Sequence, residues 1–156
     1  MEKSTVVHST FVVERKLKAG PERVFAAFAD EATKRRWFFE STTHELQHHE
    51  LDFKVGGGEH ARMKFAAGPI AGKVIVNDTH YEEIQPGRRI VAAYRMTLDG
   101  VPMSVSLATV ELLPAEGGTH LILTHQGVYF EVSDGPEMRK GGWESLLDKL
   151  AKELGE

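Results

Sequence analysis

The sequence predicts an α+β domain: a seven-stranded, curved antiparallel sheet wrapped on one long C-terminal helix. Three observations predict it. Six segments between residues 44 and 130 alternate apolar and polar side chains and are joined by short, turn-forming links. Residues 9–17 form a seventh such segment, followed by two short helical stretches. Beyond residue 134 the apolar positions switch to helical period.

The first strand, STFVVERKL at 9–17, sets Phe11, Val13 and Leu17 on one face and Glu14 and Lys16 on the other. Arg15 falls in phase with the apolar face. Gly20 breaks the strand, and Pro21 suits a first helical position, where its missing N–H costs nothing. Val24, Phe25 and Phe28 share one face of that short helix. Asp30 is the N-cap of a second one running through Trp37, with Trp37, Phe38 and Phe39 packing into the core.

Further strands are expected near 45–55, 58–66, 72–84, 88–98, 103–113 and 119–129. The breaks between them carry Gly56-Gly57-Gly58, Ala67-Gly68-Pro69, Pro86-Gly87, Asp99-Gly100 and Glu116-Gly117-Gly118. Links this short imply an antiparallel meander. Asp134 and Pro136 then open a helix whose stripe is Trp143, Leu146, Leu147, Leu150 and Leu154. Gly141 and Gly142 inside it cost roughly 1 kcal/mol each relative to alanine, which predicts a bend or a close approach to the sheet. A twisted sheet curling round a single helix leaves space between the two, closed at one end by the short helices.

Composition narrows the function classes. The chain of 156 residues is about one domain long, read as a single unit over 1–156. Its net charge is −4 with acidic and basic residues interleaved, so no basic stripe exists for a nucleic-acid backbone. With no cysteine, thiolate chemistry and disulfides are excluded, which suits a reducing cytoplasm. No apolar run approaches the roughly 18 residues of a membrane span, so membrane insertion is not expected.

One motif invites a metal. His44-Glu45-Leu46-Gln47-His48 matches the H-E-x-x-H pattern of zinc hydrolases. That chemistry needs a helix, and the segment runs into the strand-like ELDFKVGGG. Residues 44 and 48 would share a strand face about 13 Å apart at roughly 3.3 Å per residue, beyond the reach of one metal. His48 and His49 would point to opposite faces. The Gly56-Gly57-Gly58 run precedes no helix, so it reads as a hairpin and not a phosphate loop. No serine stands in a G-x-S-x-G elbow. No metal or cofactor is expected.

Strand phase nominates the cavity wall. Glu59, Ala61, Met63 and Phe65 share the inward face of one strand, and Ala92, Tyr94 and Met96 that of another. Leu123 and His125 face inward from the last strand, while Trp143, Leu146, Leu147 and Leu150 approach from the helix and Trp37 from the short helices. Ala61 and Ala92 are small enough to leave volume. Glu59, Tyr94 and His125, with Arg15 as a further candidate, are polar groups on an apolar face. They pair with one another, orient a ligand's polar end, or act as acid and base.

The chain resembles the SRPBCC (START-like) superfamily with its helix-grip fold, in the branch of the C-terminal domain of the activator of heat-shock protein 90 ATPase. The matching pieces are AGPERVFAAFAD at 19–30, Trp37-Phe38, LDFKVGG at 51–57, PGRRI at 86–90, ATVELLP at 108–114, GTHLILTHQG at 118–127 and GGWESLLDKL at 141–150. The resemblance implies a cavity between sheet and helix used for small apolar molecules. It therefore implies binding of a hydrophobic or amphipathic ligand, lipids included. Alternatives on the same scaffold are a polyketide-cyclase or hydrolase type of enzyme using Glu59, His125 or Tyr94, and a module that modulates a chaperone ATPase. Exposed strand edges leave room for a homodimer.

Overall fold

The computed structural model describes residues 1–156. β1 (Val7–Leu17) is followed by α1 (Pro21–Ala29), α2 (Glu31–Lys34) and a wide π turn over Arg35–Phe39. The strands β2 (His44–Leu51), β3 (Gly58–Phe65), β4 (Val74–Gln85), β5 (Arg89–Leu98), β6 (Val101–Ala115) and β7 (Gly118–Tyr129) come next, and α3 (Pro136–Glu153) closes the chain. All seven strands form one antiparallel sheet in the order β1-β7-β6-β5-β4-β3-β2. The first strand therefore pairs with the last, at the edge opposite β2. The short helices make the crossing between the two edges, as a fold of this class requires.

Local chemistry explains the boundaries. Pro21 opens α1 at its first turn, and the Asp30 carboxylate caps α2 by accepting from Thr33 N at 3.0 Å. The helix expected to run through Trp37 instead widens after Lys34. Trp37 then lies under α1, its indole donating to the Ala27 carbonyl at 2.8 Å, while Phe38 and Phe39 turn toward the sheet. β2 stops at Leu51, short of the expected residue 55, because Asp52–Gly57 make the turn into β3.

The apolar core is in two pieces. The larger joins β1, β5–β7, α1 and α3 through Val13, Val24, Leu112, Leu121, Leu147 and Leu150. The smaller gathers Phe39, Ala61, Met63, Ile75, Leu98 and Met103. Between them runs a row of directly paired inward residues, Glu59 on β3, Thr79 on β4, Tyr94 on β5 and Ser106 on β6. Asn77 and Ser104 extend it on the neighbouring row. A polar belt thus crosses a face that is otherwise hydrophobic.

Candidate functional site

A cavity of about 440 Å³ lies over β3–β6, with the π turn and one side of α3, from Met138 to Lys149, as its other walls. α3 itself rests on the far half of the sheet. Its face Trp143, Leu147, Leu150 and Leu154 is buried in the larger core. The adjoining face, Met138, Gly142, Leu146 and Lys149, looks into the cavity. Successive members of that second face are three or four residues apart, so one helix seals the core and borders the space at once.

Of the residues nominated from strand and helix phase, Glu59, Met63, Phe65, Ala92, Tyr94, Met96, Trp143 and Leu146 line the cavity. Seven others, Arg15 among them, stand elsewhere. Leu123 and His125 belong to β7, which α3 covers directly, and both are 0% exposed. Leu147 and Leu150 lie on the core-facing side of α3, and Trp37 is held beneath α1. Ala61 points inward but is too short to reach past Phe39 and Met63. Arg15 ends 3.6 Å from Asp148 on α3, outside the cavity. Gly141 and Gly142 are not sites of close approach, since a Cβ on either would meet nothing within 4 Å. At Gly142 the missing side chain leaves cavity space open.

Glu59 is the centre of the first polar cluster. It is 3% exposed, and its Oε1 accepts from Lys34 Nζ at 2.8 Å and, at the limit of a hydrogen bond, from the Tyr81 hydroxyl at 3.5 Å. Its Oε2 faces His49 Nε2 at 3.0 Å. Arg35 Nε donates to His49 Nδ1 at 3.0 Å, so the imidazole proton sits on Nε2 and is donated to Glu59. Burial pushes the Glu59 carboxyl up, but the Lys34 charge and the bonds from His49 and Lys34 outweigh it, and the net shift is downward. Burial and the neighbouring carboxylate push the Tyr81 phenol up, which keeps it neutral.

His49 reaches that position because β2 is irregular. Leu46 pairs with Met63 and His48 with Arg62, so β2 advances two residues while β3 advances one, leaving Gln47 as a bulge. Beyond the bulge the phase inverts. His44 faces the cavity, His48 is 56% exposed beside Glu50, and the His49 side chain is 1% exposed. The strand reading of HELQH holds, but residues 44 and 48 lie on opposite faces and not on one. No sequence signal announced the bulge, and so His49 went unnominated; Lys34, the other charged partner of Glu59, was hidden by its place on a short polar helix.

Tyr94 is the centre of the second cluster. Its oxygen accepts from Arg139 Nη1 at 3.1 Å and from Trp143 Nε1 at 3.3 Å. Its own proton is therefore directed to His125 Nε2, 2.7 Å away. Asp134 holds Arg139 through both carboxylate oxygens, at 2.9 and 2.7 Å. His125 stacks on Phe11 at 4.6 Å, and its Nδ1 has no partner. Burial and then the Arg139 charge lower its pKa from 6.5 to about 4, so the ring is neutral. Arg139 was missed because it sits on the turn of α3 before the apolar stripe begins.

The antiparallel sheet gripping a terminal helix, with a lined cavity between them, defines a helix-grip protein of the SRPBCC class. The sequence profile described as Activator of Hsp90 ATPase homolog 1-like protein matches residues 18–155, and the chain belongs to that family. A protein from Rhizobium loti of known structure is 44% identical, with a TM-score of 0.83 over 96% of this chain and 99% of that one. An uncharacterized protein from Rhizobium leguminosarum is 35% identical, with a TM-score of 0.87 over 96% of both chains. A protein from Chromobacterium violaceum is 28% identical, with a TM-score of 0.75 over 92% of this chain and 94% of that one. No functionally curated protein matches the chain. No helix is long and apolar enough to cross a membrane.

Proposed function

We propose that the protein binds a small hydrophobic or amphipathic molecule, lipid-like or aromatic, between the sheet and α3. The observation that carries this reading is the unfilled space itself. It measures about 440 Å³, and 17 of its 28 lining residues are hydrophobic, within the range of small-molecule pockets. Protein interiors leave few voids larger than a water molecule. Ala92, Ala108 and Gly142, all on the wall, withhold the side chains that would fill this one. The absence of cysteine fits a cytoplasmic setting.

Binding is favoured over catalysis by how the polar groups are used. The 2.7 Å Tyr94–His125 bond is the strongest argument for acid–base chemistry. Yet the Tyr94 oxygen already has three partners, and His125 does not border the cavity. Modulation of a chaperone ATPase is the reading the family description suggests. An unchanged rate of chaperone ATP turnover on adding this protein would set that reading aside.

The direct test is native mass spectrometry with thermal-shift screening against apolar and aromatic metabolites. A bound mass is expected, with a melting temperature that rises with ligand concentration. Ala92→Phe, which fills the floor, should abolish both. Retention of binding by the filled variant, or no binding by any compound, would sink the proposal.

A further inference from the structure

The polar groups on the cavity wall are unevenly satisfied. Both carboxylates are engaged on each oxygen. Glu59 holds Lys34 and Tyr81 on one and His49 on the other. Asp134 accepts from Arg139 on both and from the Ser133 hydroxyl on Oδ1. Neither is left wanting a donor.

Donors on the wall are in excess. An ammonium carries three N–H groups. Lys34 is 5% exposed and has one protein acceptor, Glu59, with the Phe38 ring 4.4 Å from Nζ and the Phe28 and Phe39 rings each at 5.9 Å. Asn77 accepts from Thr79 Oγ1 at 3.2 Å, and its NH2 group finds no acceptor in the protein. Asn77 is on β4 beside Thr79, the cross-strand partner of Glu59, so both donors border the same stretch of the polar belt. Asn77 is half-buried, with its amide open to the cavity, and a guest that supplies an acceptor to such donors gains hydrogen bonds away from bulk water.

Charge decides which acceptor. Lys34 is already neutralised by Glu59 at 2.8 Å, and Arg139 by Asp134 at 2.7 Å. A carboxylate at this point would be a third charge beside Glu59, desolvated and without a cation of its own. A carbonyl oxygen accepts the same hydrogen bonds and carries no charge. We propose that the ligand is a neutral carbonyl compound, a ketone, ester or amide, whose oxygen is held by Lys34 and Asn77. Its apolar body lies against Met63, Phe65, Met96 and Leu146. This assignment rests on the cavity being a ligand site.

A matched series tests it: acetylnaphthalene, ethylnaphthalene and naphthoate, titrated calorimetrically into the whole protein. The ketone should bind about tenfold more tightly than the hydrocarbon, the worth of one charge-assisted hydrogen bond, and more tightly than the acid. The carbonyl stretch of the bound ketone should fall in frequency relative to the free compound. Asn77→Leu should lower the ketone's advantage, and the double variant Lys34→Met/Glu59→Leu, which leaves no orphaned charge, should abolish it. Equal binding of ketone and hydrocarbon, or an unshifted stretch, overturns the carbonyl assignment alone. Tighter binding of naphthoate overturns it in favour of an anionic ligand. No binding by any of the three overturns this assignment, and the cavity reading falls with it where the metabolite screen also finds nothing.

Discussion

The Glu59 and Tyr94 clusters stand on one cross-strand row, separated only by Thr79, and solve the burial of polar groups in different ways. At Glu59 a full charge is buried, matched by a lysine from α2 and an imidazole admitted by a bulge. At Tyr94 a phenol and a neutral imidazole are joined by the Arg139 guanidinium, itself 6% exposed, whose charge is met by the half-buried Asp134 at the start of α3. The first keeps both members of its ion pair buried; the second buries only its cation and has a wet edge, since the Asp134 side chain is 23% exposed. The same sheet face thus carries one site that fastens the short helical segment and another that fastens α3.

The largest expected effect breaks the first cluster. Lys34→Met orphans a carboxylate that is 3% exposed, and urea denaturation should register a loss of about 3–5 kcal/mol. Lys34→Met/Glu59→Leu should recover most of it. A double-mutant cycle without coupling would mean that the ion pair is not what holds the segment.

Acid separates the clusters next. His125 titrates at 6.5 when unfolded and at about 4 when folded. Below 6.5 the unfolded chain binds the proton and the folded one does not, so stability falls as pH drops toward about 4. The loss approaches roughly 3 kcal/mol. Glu59 and Asp134, both shifted down, add their losses only below their ordinary carboxyl range. His125→Gln should flatten the upper window and leave the lower one. A slope unchanged between pH 6.5 and 4.5 would exclude His125 as its source.

Tyr94→Phe is a smaller perturbation. It removes the oxygen shared by Arg139, Trp143 and His125 and should cost about 1–3 kcal/mol in the same denaturation assay. The smallest effect is a gain. Gly142→Ala places a methyl where nothing lies within 4 Å and should stabilise α3 by up to about 1 kcal/mol. Gly142→Leu, entering the cavity from the same position, should weaken ligand binding without unfolding the protein. A ligand that binds Gly142→Leu normally occupies some other surface.

Most of the fold was legible because alternation and turn chemistry are local. Strand boundaries at Gly58, Arg89 and Gly118 fall within a residue of where the turn glycines and apolar period put them. Inward phase was legible too, and it brought Glu59, Tyr94 and His125 to the interior. What alternation does not encode is where the helix lies across the sheet. Leu123 and His125 share the phase of Tyr94 but sit under α3, whereas Tyr94 sits beside it. The partners of the nominated acids were hidden for a related reason. Lys34 looks like a solvated residue on a short polar helix until the π turn rolls it against the sheet.

The bulge at Gln47 gives β2 one residue more than its pairing with β3 uses. Which of two adjacent imidazoles becomes internal is therefore set by chain length and not by side-chain type. In a regular strand, losing one residue turns every later side chain to the other face. Here the surplus absorbs such a loss, and a chain lacking Gln47 keeps Leu46 and His49 pointing inward. β2 is the one edge of this sheet where a deletion is gentler than many substitutions.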